Sequence, residues 1–275
     1  MSTPVAGAVE GPRTLAPFGR RLCPVAGSEP VGPYVMLAVD DPGGPEPRPG
    51  QFYMLSAAAG WGGESGRPHL GRAFSVCRTR DGRLEFLLEA IGPGTERLAE
   101  LEEGDGLWLV GPLGIGFTQP PAGSRALLVG GGIGIAPLVI WAEALNAPNV
   151  SLLGFRSGEY AAAASLVPGH VLVTTDDGTG QNTHHGLVTE LLEQELAASD
   201  AASDAVYACG PPPMLEAVRR ICVAGGIEAQ LALEAGMACG FGACFGCVVA
   251  TRTGFRRLCV DGPVVRAAEL AEEWH

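Results

Sequence analysis

The chain has 275 residues, 47% of them hydrophobic, and a formal charge of −12 from 18 basic against 30 acidic side chains. That length suits about two domains with a substantial core, and an acidic surface without a basic run speaks against a nucleic-acid partner. The N-terminus "MSTPVAGAVEGPRT" lacks the basic start and apolar run of a secretory signal, and the uncharged stretch 126–142 is short for a membrane span and interrupted by glycines and Pro137, so the expected protein is cytoplasmic and not a membrane protein.

Residues 1–14 read as a loose tail. From 15 to 120 the chain reads as short strands, "YVMLAVDD", "GQFYMLSA", "RAFSVCRT", "RLEFLLEAI" and "GLWLVGPLG", with Gly, Pro or Asp at most of the breaks. Partial apolar–polar alternation predicts an antiparallel barrel or sandwich. The stretch 57–71 is an irregular loop. Within this region Arg72 and Ser75 of "RAFS" open a strand, and "IGPGTERL" places Gly94 and Thr95 before a short helical stretch. An Arg and such a turn in one barrel can hold the diphosphate of a flavin dinucleotide; taken alone, Gly94-Thr95 is equally an ordinary helix cap.

Residues 121–225 change rhythm. Strands "RALLVGG", "VSLLGF", "HVLVTT" and "AVYACG" alternate with helices "APLVIWAEAL", "GLVTELLEQELA" and "PPMLEAVRRICVAG", which predicts a parallel α/β sheet. "LLVGGGIGIAP" follows a strand and opens a helix, a context that suits nucleotide binding through Gly132 and Gly134. It departs from G-x-G-x-x-G, and no acid closes the second strand, so the glycines serve equally well as a tight turn. Cys209 ends a strand before Gly210 and Pro211; it reads as a small buried hydrophobe or as a residue on the nicotinamide and flavin side. His184 and His185 read as loop residues.

The last segment, 226–275, holds Cys239, Cys244, Cys247 and Cys259, four of the eight cysteines. Their C-x4-C-x2-C-x11-C spacing matches the plant-type iron–sulfur signature. Gly240, Gly242 and Gly246 would let a loop curl around a cluster and aim backbone N–H groups at its sulfurs. A structural zinc site more often pairs two C-x2-C knuckles or includes His, and no His lies between 186 and 274. Zinc, and four ordinary buried cysteines, remain the alternatives. Phe241, Phe245 and Val248 read as an apolar cluster shell, or as core or interface residues.

In this order, "RAFS", "GGGIGIAP" and "CGPPPM" resemble the ferredoxin–NADP reductase superfamily. Together with "TTDDGTGQNTHHGLVTELL" and "MACGFGACFGCVV…CVDGPVV", the chain from about Leu15 to Val265 resembles the electron-transfer subunits of B-type dihydroorotate dehydrogenase. The resemblance implies a multidomain α+β protein: an FAD-binding barrel (15–120), a NAD-binding α/β unit (121–225) and a small [2Fe–2S] unit (226–275). It implies that Arg72, Ala73, Phe74, Ser75, Gly94 and Thr95 contact FAD, with Leu88, Glu89 and Ala90 lining the flavin. Cys239, Cys244, Cys247 and Cys259 would ligate the cluster. It further implies an FMN-containing dihydroorotate-oxidising partner in a heterotetramer, with NAD⁺ as acceptor and a role in pyrimidine biosynthesis. Two features depart from the pattern: Ala and Phe inside "RAFS", and the long 57–71 loop, which stands where it can alter access to the flavin. The alternative is an NAD(P)H–ferredoxin-type or hydrogenase-associated subunit.

Overall fold

The computed structural model of the chain describes residues 20–62, 68–198 and 204–274; the expected tail at 1–14 and positions 63–67 of the long loop lie outside the described residues. The first unit contains strands β1 (Arg21–Val31), β2 (Tyr34–Asp40), β3 (Phe52–Ala57), β4 (Arg72–Ser75), β5 (Arg78–Arg80), β6 (Arg83–Leu88) and β7 (Gly106–Leu113), with one short helix, α1 (Pro93–Ala99). They form an antiparallel sheet in the order β4-β3-β7-β1-β2-β6-β5. Its period of two is legible in the burial: Leu84, Phe86 and Leu88 of β6, and Leu107 and Leu109 of β7, all point into one core.

The sheet's two edge strands, β4 and β5, are consecutive in the chain, so the sheet must curl to bring them together. Val76 and Cys77 join them. The Val76 N–H bonds the Gln51 carbonyl beside β3 (3.2 Å), and the Cys77 N–H bonds Glu85 of β6 (2.8 Å). Adjacent residues thus satisfy opposite ends of the sheet, which closes it in the manner of a barrel. The strand that the sequence pattern hides is β1. Pro24, Gly27 and Pro30 break its alternation, yet it pairs with β7 through Arg21–Pro24 and with β2 from Val25 to Val31, with the register shifting between Val25 and Gly27. A bulge at that turn of partners is where Gly and Pro are tolerated.

The second sheet has β8 (Arg125–Gly131), β9 (Asn149–Phe155), β10 (His170–Thr175), β11 (His184–His185), β12 (Asp204–Cys209), β13 (Glu228–Ala232) and the later β16 (Val264–Arg266), in the order β11-β10-β9-β8-β12-β13-β16. All pairs are parallel except β13–β16. Helices α2 (Ala136–Ala144), α3 (Val188–Ala197) and α4 (Pro212–Gly225) pack on it. Near-continuous burial of "ALLV" and "AVYAC" is what a parallel sheet covered on both faces requires. His184 and His185 form a short edge strand rather than a loop. The sheet also continues past residue 225, because β13 extends it through β12. The cysteine segment itself adds the hairpin β14 (Val248–Thr251) and β15 (Gly254–Arg257), then one helical turn, α5 (Leu258–Asp261).

The chain end is anchored to α4. Glu216 accepts bonds from Arg219 (2.7 and 2.9 Å), Arg220 (2.7 Å) and the Trp274 indole N–H (2.9 Å). The Arg219 bond, against the cost of burial and with help from Trp274 and Arg220, pulls the Glu216 carboxyl from its ordinary 4.5 down to about 2. A depressed carboxyl stabilises the fold above its ordinary pKa and loses that contribution as pH falls toward the folded value. Glu216→Gln is therefore expected to cost about 2–3 kcal/mol near neutral pH in urea titrations, with the gap from wild type closing between about pH 4.5 and 2. A gap unchanged down to about pH 3 would refute that role.

Candidate functional site

In the second sheet the chain leaves β8 toward β9 on one side and returns to β12 on the other. The carboxyl ends of β8 and β12 therefore form a topological switch point, where open α/β sheets bind ligands. The turn Gly131–Ile135 after β8 and the turn Gly210–Pro211 after β12 meet there. A side chain at Gly134 would come within 2.6 Å of the Cys209 carbonyl, so glycine is needed for the two turns to touch.

A cavity of about 640 Å³ opens at this point, lined by both turns, by Gly154 and Phe155 at the end of β9 and Arg156 after it, by Asp176 after β10, and by Met214. A second cavity, of about 260 Å³, lies against the barrel and is lined by Phe52, Arg72, Ala73, Phe74, Ser75 and Thr95 together with Ala136 and Pro137. The two share Glu89, Ile91, Ile133, Gly134 and Glu234. They are two arms of one cleft between the barrel and the parallel sheet.

"RAFS" and Thr95 face the barrel arm together. Gly94 lies beneath Arg72, where a Cβ would meet the guanidinium at 2.6–2.8 Å. Arg72 Nη1 also donates to the Leu70 carbonyl (2.6 Å). The Thr95 hydroxyl is engaged locally: it accepts from the Ile91 and Gly92 N–H groups (3.0 and 3.1 Å). On β6 and its extension, Leu87, Glu89 and Ile91 line the cleft, the alternate positions of a strand. Leu88 instead points into the barrel core, and Ala90 stands outside the lining. Gly132 and Gly134 line the larger arm, while Cys209 sits beneath it at 2% exposure. Burial pushes the Cys209 thiol well up, and the charge of Glu234 adds to the effect.

Three lining residues carry no local motif: Arg156, Glu234 and Met237. Each follows the end of a buried strand, the one signal available, since ligands gather outside strand carboxyl ends. Glu234 reaches the open cleft, yet the protein around it raises its carboxyl through desolvation. Met237 lines the barrel arm two residues before Cys239.

The cysteine loop follows directly. Gly240 and Gly242 have φ of 77° and 87°, and Phe245 adopts φ 59°, so the loop curls back on itself. Cys247 and Cys259 are 3.3 Å apart, Sγ to Sγ, one before β14 and the other on α5. Across the loop, burial would raise Cys239, but N–H groups of Cys244, Phe241 and Ala243 and the Cys244 thiol bring it down to about 6. Cys259 is pushed up to about 12 by burial and then by its Cys247 neighbour, with the charge of Cys239 contributing. The Gly246 N–H points at the Cys244 sulfur (3.5 Å). Among the described residues no three His, Cys, Asp or Glu side chains converge on a single-ion site. Two neighbouring pairs of sulfurs suit a binuclear cluster, which takes four cysteine thiolates around two irons. Of the expected shell, Phe241 and Phe245 are 66% and 62% exposed, so neither is a core residue, and Val248 is half-buried; Phe255, outside that expectation, is 78% exposed.

Comparison with known proteins bears on the same regions. Residues 234–271 match the iron–sulfur cluster binding domain of dihydroorotate dehydrogenase B. The electron transfer subunit of dihydroorotate dehydrogenase B (NAD(+)) from Caldanaerobacter subterraneus subsp. tengcongensis is 38% identical over 82% of this chain and 88% of its own length. Its namesake from Bacillus caldolyticus is 39% identical over 81% and 86%. Among solved structures, an NADH-dependent reduced ferredoxin–NADP oxidoreductase superposes with a TM-score of 0.77 at 26% identity, covering 92% of this chain and 91% of that one. A ferredoxin NADP⁺ reductase from Neisseria gonorrhoeae, solved with FAD and NADP, shares the fold at a TM-score of 0.62 and 19% identity, over 75% of this chain and 92% of that one.

Proposed function

The chain belongs to the electron-transfer subunits of dihydroorotate dehydrogenase B, and from that membership we propose that it passes reducing equivalents from a separate dihydroorotate-oxidising subunit to NAD⁺ in pyrimidine biosynthesis. The observation that supports this most directly is spatial order. One cleft has the switch-point turns at one end and, through Met237, the cysteine loop at the other.

Cys239, Cys244, Cys247 and Cys259 would hold a [2Fe–2S] cluster, Arg72 to Ser75 with Thr95 and Glu89 would hold FAD, and the Gly131–Gly134 and Gly210–Met214 turns would hold NAD⁺. When bound, the cluster supplies one-electron transfer and FAD the conversion between single electrons and a hydride. The chain's own task is placement. Phe52, Phe74, Leu87, Pro137 and Met237 line the barrel arm with apolar surface that excludes water, which strengthens the interactions of Arg72 inside it. No side chain is needed as general acid or base.

The exposed rings of Phe241, Phe245 and Phe255 lie in the cysteine segment and offer the surface for the partner. That partner is proposed to hold FMN and to assemble with this chain as a heterotetramer in the cytoplasm; no described helix is long and apolar enough to cross a membrane. The test is dihydroorotate-dependent NAD⁺ reduction by the cofactor-loaded chain, by the partner, and by the mixture. Activity in the mixture alone is expected. Useful dihydroorotate oxidation by this chain alone, or a silent mixture with FAD and cluster both verified, would sink the reading; in the second case reduction of a ferredoxin would favour the alternative.

A further inference from the structure

Arg156 is the one cation among the described residues that line the larger arm, where Glu89, Asp176 and Glu234 supply three carboxylates. A nicotinamide dinucleotide must bring its anionic diphosphate into this arm, and carboxylates alone would repel it. Arg156 directly follows β9, the neighbour of β8, so it stands one strand away from the Gly131–Gly134 turn. Its guanidinium is held in place twice. It lies 3.7 Å from the centroid of the Tyr160 ring, and it bonds the Glu89 carboxylate that reaches across from the barrel. Even so, 57% of its side chain remains exposed. A planar fork stacked on an aromatic face is already oriented for bidentate recognition of phosphate oxygens. Glu89 occupies the edge of that fork, where an anionic ligand would bind.

Resting on the reading that this arm takes the dinucleotide, we infer that Arg156 binds the ligand's diphosphate, which replaces Glu89 on the guanidinium. Glu89 is then a competitor for the arginine, so the two side chains have opposite effects on affinity. Arg156→Gln removes a charge-assisted contact, and Glu89→Gln releases the arginine for the ligand.

The experiment is calorimetric titration of the FAD-loaded chain with ADP-ribose and with adenosine 2′-monophosphate, repeated at rising KCl, with the flavin spectrum as a check on the fold. For ADP-ribose, Arg156→Gln is expected to weaken binding about tenfold and flatten its salt dependence. Glu89→Gln is expected to tighten it about threefold, the scale of an exposed ion pair. Unchanged ADP-ribose affinity in Arg156→Gln overturns the inference, and so does a loss confined to the 2′-monophosphate, which would make Arg156 a reader of the 2′-phosphate. If Arg156→Gln does not fold, Glu89→Gln still decides: equal or weaker binding overturns the exchange. Wild-type chain that binds neither nucleotide overturns the dinucleotide reading of the arm and this inference with it, whereas binding by wild type that Arg156→Gln leaves intact overturns this inference alone.

Discussion

Cys259→Ser is expected to abolish cluster assembly while leaving FAD bound at wild-type stoichiometry. The reason lies in how differently the two sites are built. Cys259 sits on α5, 2% exposed and 3.3 Å from Cys247, so it completes one of the two sulfur pairs. A serine hydroxyl is nearly isosteric but is not the thiolate that an iron–sulfur centre requires. The barrel arm that would hold FAD takes its polar groups from Arg72, Ser75, Glu89, Thr95 and Glu234, and no residue of α5 lines it. Iron, acid-labile sulfide and flavin content measured on one preparation separate the outcomes. Loss of iron and sulfide with flavin retained supports four ligands in a self-contained unit. Joint loss of flavin and iron would mean that the cysteine segment shapes the barrel arm, which Met237 lines and against which Gly240 packs, since a side chain there would press on Met54 of β3.

The contrast with Cys244 sharpens the same prediction. Cys244 is exposed and receives the Gly246 N–H, whereas Cys247 and Cys259 are buried. Replacing an exposed ligand leaves room for water or a serine oxygen to take the open place, so Cys244→Ser is expected to leave a labile, oxygen-sensitive centre where Cys259→Ser leaves none.

What could be read from the sequence divides along local and long-range lines. The cysteine spacing is local, and it brings the ligand candidates into one curled loop because the glycines beside them allow positive φ. "RAFS" and the glycine turns are also local, and each of them faces the cleft. Strand phase is harder. Leu88, Glu89 and Ala90 are consecutive, but a strand sends alternate residues to opposite sides, so only Glu89 lines the cleft, with Leu87 and Ile91 as its true companions. Arg156 and Glu234 were illegible for a different reason. Each is a single charge after a buried strand, and their convergence with Glu89 depends on how β6, β9 and β13 are brought together by the packing of the barrel on the parallel sheet. β1 was hidden because its prolines and Gly27 mark a bulge rather than an end.

Gly94→Ala should separate folding from cofactor binding more cleanly than any charge deletion. Position 94 lies in the first turn of α1, with no positive φ to forbid a side chain, and alanine is the better helix former by about 1 kcal/mol. The added methyl would nonetheless meet the Arg72 guanidinium at 2.6–2.8 Å. Arg72 ends a flexible side chain, so the fold yields cheaply by moving it. The displaced guanidinium can no longer sit where its bond to the Leu70 carbonyl and its place over Gly94 now aim it into the cleft. The expected result is a chain at least as resistant to thermal unfolding as wild type when both are stripped of flavin, yet with FAD affinity lower by about tenfold or more, the worth of one charge-assisted contact. Arg72→Ala should lose at least as much, and the double variant no more than Arg72→Ala alone, because the methyl acts only through the arginine. Additive losses in the double variant would show that Gly94 contacts FAD with its own backbone, as the family resemblance implies, and that Arg72 is not the route by which this glycine matters.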